Sequence, residues 1–391
     1  MRAIVNARLV LPDRIVPDGC VLFEGDRILA SGRVRPPEGA EIIDAGGLYV
    51  GPGLVDQHLH GYRRGSERYD VRNDCAAVAA AHLLHGTTAM TPSAAYNLSR
   101  NEFVSVIRQC NAAMEKGGTT IAGIHFEGPF TNPRYGSLAG RAWPFSREIC
   151  EELLALAGGN LRHWTYAPEL ECAPELEALM AERGITGDIG HTCASPGDME
   201  RAAARGARIV THLFDAMGHW QGPEKAAEAT GDVQSSVAVV ALSMPELYCE
   251  LICDSLGAHV SPYNARLALR AAGEDRIVLI TDASVETGGG EVGAEPPAFA
   301  GAADLNFDVN GQLSGSYLTL NRACANFMRL TGADVRVGFK CASTNPARAL
   351  GLFDRIGSLE PGKEADIVLT DGEFNVRGVW FRGEPVPEVR N

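Results

Sequence analysis

Four histidines and two carboxylates carry most of the chemistry this sequence can perform. His58 and His60 stand in "LVDQHLH", Glu127 in "AGIHFEG", His191 in "TGDIGHT", His212 in "RIVTHLF" and Asp282 in "VLITDAS". Each closes a short apolar run that reads as a β-strand. Side chains two apart on a strand share a face, so His58 and His60 can reach one centre. Imidazole with carboxylate is a donor set for divalent ions: zinc is the first expectation, with Fe, Mn or Co as alternatives, one ion or two. Such an ion supplies hydroxide at neutral pH, and Asp282 is placed to take a proton from water and pass it to a leaving nitrogen. Taken singly, each residue also has a structural reading. An isolated His-x-His is weak, Glu127 would suit a turn, and His191 or His212 would suit a hydrogen-bonded core. Six such residues at five strand ends together outweigh those readings. His125, two before Glu127, reads as a support for the ligands, and His82 and His85 read as structural.

The elements that must position these groups follow from periodicity. "LVDQHLH", "TAMTPS", "AGIHFEG", "HWTYAPE", "TGDIGHT", "RIVTHLF", "CELICDS" and "VLITDAS" are eight strand candidates. Amphipathic stretches such as "FVSVIRQCNAAMEKGG" and "ELEALMAERG" lie between them, several ending in Gly as helix C-termini do. Alternating strands and helices predict an α/β fold, a (β/α)8 TIM barrel over residues 50–353, with its site at the carboxyl ends of the strands. Residues 1–49 and 354–391 hold short β-type segments too small to stand alone, and are expected to join as one small β-sandwich domain.

Bulk properties narrow the function. A net charge of −14 over 391 residues excludes a nucleic-acid or anionic-membrane surface, which needs basic excess. No apolar run approaches a membrane span, and "MRAIVNARLVLPDRIV" lacks a secretory layout. Ten scattered cysteines without a CxxC pair predict reduced thiols and a cytoplasmic enzyme.

With these residues in place the chain resembles the amidohydrolase superfamily and, within it, the N-acetylglucosamine-6-phosphate deacetylase family. The matching pieces are "GPGLVDQHLHG", "GIHFEGPF", "TYAPE", "GHTCA", "THLFDAM", "LITDAS", "LSGSYLTLNRA" and "STNPARALGL", in family order over nearly the whole chain. The resemblance implies that Glu127, His191 and His212 hold the principal metal, with His58 and His60 completing a second position. It implies hydrolysis of a linear amide, an acetamido sugar giving amine and acetate, by a homodimer. It also implies substrate contacts from Asp215, Ala216, His219, His259 and the loop Leu313, Ser314 and Gly315.

Three departures lie on the substrate side. "GHWQGPEKAAEATG" holds no Arg where the family binds a sugar phosphate, and Asp215 replaces the usual Asn. "TNPRYGSLAG" puts Leu138 where relatives carry a substrate His, and "DSLGAHV" displaces His259 by an insertion. Lys225, Arg134 or Arg141 could bind phosphate, but Glu224 and Glu228 flank Lys225. The expected substrate is therefore an N-acetyl amino sugar of the glucosamine or galactosamine type, with the 6-phosphate not required. The alternatives are a standard 6-phosphate deacetylase, an N-acyl amino acid hydrolase, a cyclic-substrate deaminase, or a non-catalytic barrel. The last is disfavoured because all six positions are filled, and "LSGS" favours the sugar branch.

Overall fold

The computed structural model describes residues 1–137, 143–218, 235–285, 299 and 301–391. Its first strands are β1 (Arg2–Val10), β2 (Ile15–Glu24), β3 (Arg27–Gly32), β4 (Glu41–Asp44) and β5 (Tyr49–Pro52), and β18 (Ile367–Thr370), β19 (Val376–Phe381) and β20 (Glu384–Pro385) come from the other end of the chain. They form one sheet of order β20-β19-β18-β5-β1-β2-β3, in which β4 also pairs with β1. The sheet forks at β1: Arg2–Val5 run parallel to β4 and Arg8–Leu9 to β5. Ile4, Leu9, Phe23 and Ile28 from one terminus pack with Ile367, Leu369 and Trp380 from the other, so each terminal segment buries apolar surface that it could not bury alone.

The second sheet holds β6 (Leu54–Leu59), β9 (Thr87–Ala95), β10 (Ile124–Glu127), β11 (Leu161–Tyr166), β12 (Thr186–Ile189), β13 (Ala207–Val210), β14 (Tyr248–Ile252) and β15 (Ile277–Ile280). Its order is β15-β14-β13-β12-β11-β10-β9-β6, sequential throughout, and neighbouring strands are parallel. Among the described residues every strand of this sheet is followed by a helix: α1 (Cys75–Leu83), α2 (Arg100–Lys116), α3 (Arg147–Ala157), α4 (Ala173–Arg183), α5 (Pro196–Ala204), α6 (Val237–Ser243), α7 (Pro262–Ala272) and α8 (Leu320–Thr331). The helices cover the outside, so strands such as Ile277–Ile280 are buried on both faces and read as unbroken apolar runs. In α2 the local code is explicit. Ser99 and Glu102 form a capping box, Phe103, Val106, Ile107 and Cys110 are buried on one stripe, and Gly117 ends the helix at φ 75°.

The barrel closes just beyond the strand ends. The amide of Asp282 donates to the carbonyl of His58 at 2.9 Å, and that of His60 to Ala283 at 2.7 Å. Two hairpins rise from this rim: β7 (Gly61–Arg64) with β8 (Glu67–Asp70), and β16 (Leu305–Phe307) with β17 (Leu313–Ser316). All ten cysteines are unpaired thiols. Among the described residues no helix is long and apolar enough to cross a membrane.

Candidate active site

The six strand-end residues converge. Glu127 Oε1 lies 2.9 Å from His191 Nε2 and 3.3 Å from His212 Nε2, and those two nitrogens are 3.1 Å apart. Its other oxygen faces His60 Nε2 at 3.3 Å, and His58 Nε2 stands 3.6 Å from Oε1. Asp282 Oδ1 is 3.2 Å from His60 Nε2 and 3.6 Å from His58 Nε2. Two candidate metal groups therefore share Glu127: His58–His60–Glu127 and Glu127–His191–His212. His191, His212 and Asp282 each adopt a positive φ (49°, 30° and 46°) two residues beyond the end of the strand. Non-glycine residues pay for that conformation, and such strain gathers at functional sites.

The other face of each ring settles what the centre fits. The Nδ1 atoms of His60, His191 and His212 meet the backbone carbonyls of Ser93, Tyr135 and Asp215 at 3.0, 3.3 and 3.2 Å. That of His58 meets Glu250 Oε2 at 3.2 Å. Carbonyl and carboxylate oxygens only accept, so all four Nδ1 atoms carry the hydrogen. All four Nε2 lone pairs then point at one another and at two carboxylates. His58 Nε2 is buried with no hydrogen-bond partner. A divalent cation fits this donor set. The two carboxylates favour positive charge here, as proton or as metal ion: burial opposes charging His58 and His60, yet Asp282 and Glu127 push His58 well above its ordinary pKa and His60 up to about 9. Burial likewise opposes the Glu127 carboxylate, but His58, His191 and His212 hold it well below the usual range.

A polar layer lies beneath, and here the sequence reading missed a residue. Glu250 on β14 is fully buried. It accepts from His58 Nδ1, from the His212 amide at 3.2 Å, and from Gln57 Nε2 at 2.6 Å. A carboxylate in the apolar run "YCELI" was the signal that could have found it. His125 supports the rim as expected, bonding Ser93 Oγ at 2.8 Å while the Ser93 carbonyl holds His60. His163 pairs with Asp188 at 2.6 Å, another contact unseen in the sequence. His82 and His85 bond the Gly61 carbonyl and the Tyr62 hydroxyl, away from the centre, and burial lowers both.

A cavity of about 260 Å³ opens over this centre, walled in part by Asp215, Ala216, His259, Leu313, Ser314 and Gly315. The insertion in "DSLGAHV" does not remove His259 from the site. Asp254 gathers the amides of Leu256, Ala258 and His259 and also binds His259 Nδ1 at 3.3 Å. The extra residues are absorbed in that turn, and His259 Nε2 remains buried and unpartnered at the cavity. Burial opposes its charge, but Asp254, Asp215 and Asp282 raise its pKa. Asp215 Oδ2 is also buried without a partner, and burial pushes that carboxyl up to about 6. Leu138, Arg141, His219, Lys225, Glu224 and Glu228 lie outside the described residues.

A closed parallel barrel with histidines and carboxylates at its carboxyl rim defines a class, and the chain belongs to the amidohydrolase family, whose model matches residues 49–386. Within that class it is similar to proteins named N-acetylglucosamine-6-phosphate deacetylase. It is 30% identical to the one from Bos taurus over 96% of this chain and 94% of that protein. It is 29% identical to the one from Bacillus subtilis (strain 168), over 97% and 96%. The solved N-acetylglucosamine-6-phosphate deacetylase from Pasteurella multocida shares the fold with a TM-score of 0.85 at 23% identity, covering 98% of this chain and 99% of that one. The Mycobacterium smegmatis structure of that name gives 0.82 at 25%, covering 99% and 100%.

Proposed function

We propose that this amidohydrolase removes the acetyl group from an N-acetyl amino sugar, giving the free amine and acetate. The single observation that carries the reading is the convergence of four Nε2 lone pairs, Glu127 and Asp282 beneath a sugar-sized cavity, in a chain with deacetylase relatives along its whole length. Glu127, His191, His212, His58 and His60 would hold one or two divalent ions, with zinc favoured by the imidazole-rich set. Such an ion, when bound, supplies Lewis acidity toward water and the amide carbonyl. Asp282 takes the proton lost by the attacking water and returns it to the amide nitrogen as the C–N bond breaks. Its place beside His58 and His60 favours the carboxylate form needed for the first transfer: burial opposes that form, but the two histidines lower the pKa. His259 is oriented by Asp254 and, when protonated, can donate from Nε2 to a substrate oxygen. The family resemblance supports a homodimer, and the unpaired thiols support a cytoplasmic setting.

The test pairs elemental metal analysis with acetate release from N-acetylglucosamine, N-acetylgalactosamine, their 6-phosphates and several N-acetyl amino acids. Metal-dependent release from the sugars is expected. Release from N-acetyl amino acids alone, or none from any compound after metal loading, would overturn the proposal.

A further inference from the structure

Arg72 is the one Lys or Arg among the described residues lining the cavity. It follows the β7–β8 hairpin, whose first residue comes directly after His60, and its guanidinium is tied on two sides. Nε reaches both oxygens of Asp70 at 2.9 and 3.0 Å, and one terminal nitrogen reaches Asp70 Oδ2 at 2.6 Å. The other terminal nitrogen reaches Glu102 Oε1 at 3.0 Å. Glu102 is itself fixed by the Ser99 capping box at the start of α2, and the Ser105 hydroxyl holds the Arg72 carbonyl.

Two consequences follow. A guanidinium has five N–H groups, and these contacts use one on each terminal nitrogen, so one on each is left unused by Asp70 and Glu102 in a residue that lines the cavity. The group also stands with two carboxylates, so the cluster carries no positive surplus to attract a dianion. Asp215, which also lines the cavity and has an unpartnered oxygen, adds further negative potential. What is left is directional hydrogen bonding from a pre-oriented planar donor, which suits neutral oxygen acceptors.

We infer that Arg72 forms a substrate subsite that binds uncharged oxygens, hydroxyl or ring, of the leaving amine, and that the preferred substrate is an acetamido sugar without a phosphate. This rests on the deacetylase reading above. Arg72→Met and Arg72→Lys, made in the full metal-loaded chain, test it. Losing a charge-assisted bond predicts a KM for N-acetylglucosamine about tenfold higher in Arg72→Met, with kcat changed far less. Arg72→Lys keeps a charge beside Asp70 but not the fork, so it should also raise KM. Wild-type kcat/KM should be higher for N-acetylglucosamine than for its 6-phosphate. Unchanged KM in both variants at normal metal content would overturn the subsite, as would a wild-type preference for the 6-phosphate that Arg72→Met abolishes. If Arg72→Met misfolds by circular dichroism, Arg72→Lys decides. Calorimetric titration of both sugars into the Asp282→Asn protein, with and without Arg72→Lys, separates the two claims. Arg72-dependent binding without acetate release by the wild type would refute the deacetylase reading alone. Acetate release with Arg72-independent binding would refute the subsite alone.

Discussion

Glu250 is the residue whose replacement most directly tests the geometry of the metal centre. One of its oxygens accepts from His58 Nδ1–H and from the His212 amide, and the other from Gln57, all of them buried. Leu at this position leaves those three donors without acceptors, at about 1–3 kcal/mol each. It also frees the His58 ring to place its hydrogen on Nε2, where a cation needs the lone pair. Loss of such a support weakens metal binding by about 10–100-fold, and Glu250→Leu should fall at the upper end because it touches ligands on two strands. Glu250→Gln behaves differently. Gln57 Oε1 is buried with no partner, so a flip of the Gln57 amide can accept from the new NH₂ group. The glutamine oxygen then still serves His58 and His212; the charge is lost and the Gln57 NH₂ takes the place where its oxygen had no partner, so metal affinity falls by roughly tenfold, about 1–1.5 kcal/mol. Chelator-competition titration with Zn²⁺ or Co²⁺ reads both variants, and thermal unfolding reads the structural cost. Wild-type metal affinity in Glu250→Leu would refute the tautomer argument on which the centre rests.

Two further predictions follow from charge and burial. Asp282→Asn should retain its metal, because Glu127 and the histidines remain, yet lose about 10²–10⁴ in kcat; a metal-replete variant of undiminished rate would end the proton-transfer role. Asp366, at the junction of barrel and β domain, is pushed by burial to about 7 from 3.8. Between those values the folded chain holds a proton that the unfolded chain releases, so this group makes stability fall as pH rises, by up to ~1.4 kcal/mol per unit. Denaturant unfolding from pH 4 to 8 should show that component disappear in Asp366→Asn, and an identical slope in the variant would contradict it.

The strand ends were legible because each pairs an apolar run with a polar terminus, a one-dimensional pattern. Glu250, Asp188 and Arg72 were not read, although the first two carry the same mark as Glu127: a carboxylate inside a strand that is otherwise apolar or small. Their partners are what the sequence hides. His58 lies 192 positions from Glu250, and only closure of the barrel brings β6 and β14, which flank β15, close enough for the two to bond. Arg72 is masked for the opposite reason. In "YDVRND" it resembles an ordinary exposed charge, and its side chain is only 19% exposed because Asp70 and Glu102 fold around it. His259 shows that an insertion read along the chain need not displace a side chain, when a buried aspartate can gather the extra amides.

Barrel closure and metal chemistry share the same residues. The bonds from Asp282 to the His58 carbonyl and from His60 to Ala283 join the first and last strands, and the three side chains they position face the candidate ion. His191, His212 and Asp282 hold left-handed backbone at a cost of about 1–3 kcal/mol each. The Glu127 and Asp282 carboxylates, brought to the same histidines, repel each other as well. The fold must offset both from its buried strands. A cation that binds only the closed rim returns part of that cost, so occupancy of the centre and integrity of the seam between β6 and β15 are linked by mass action.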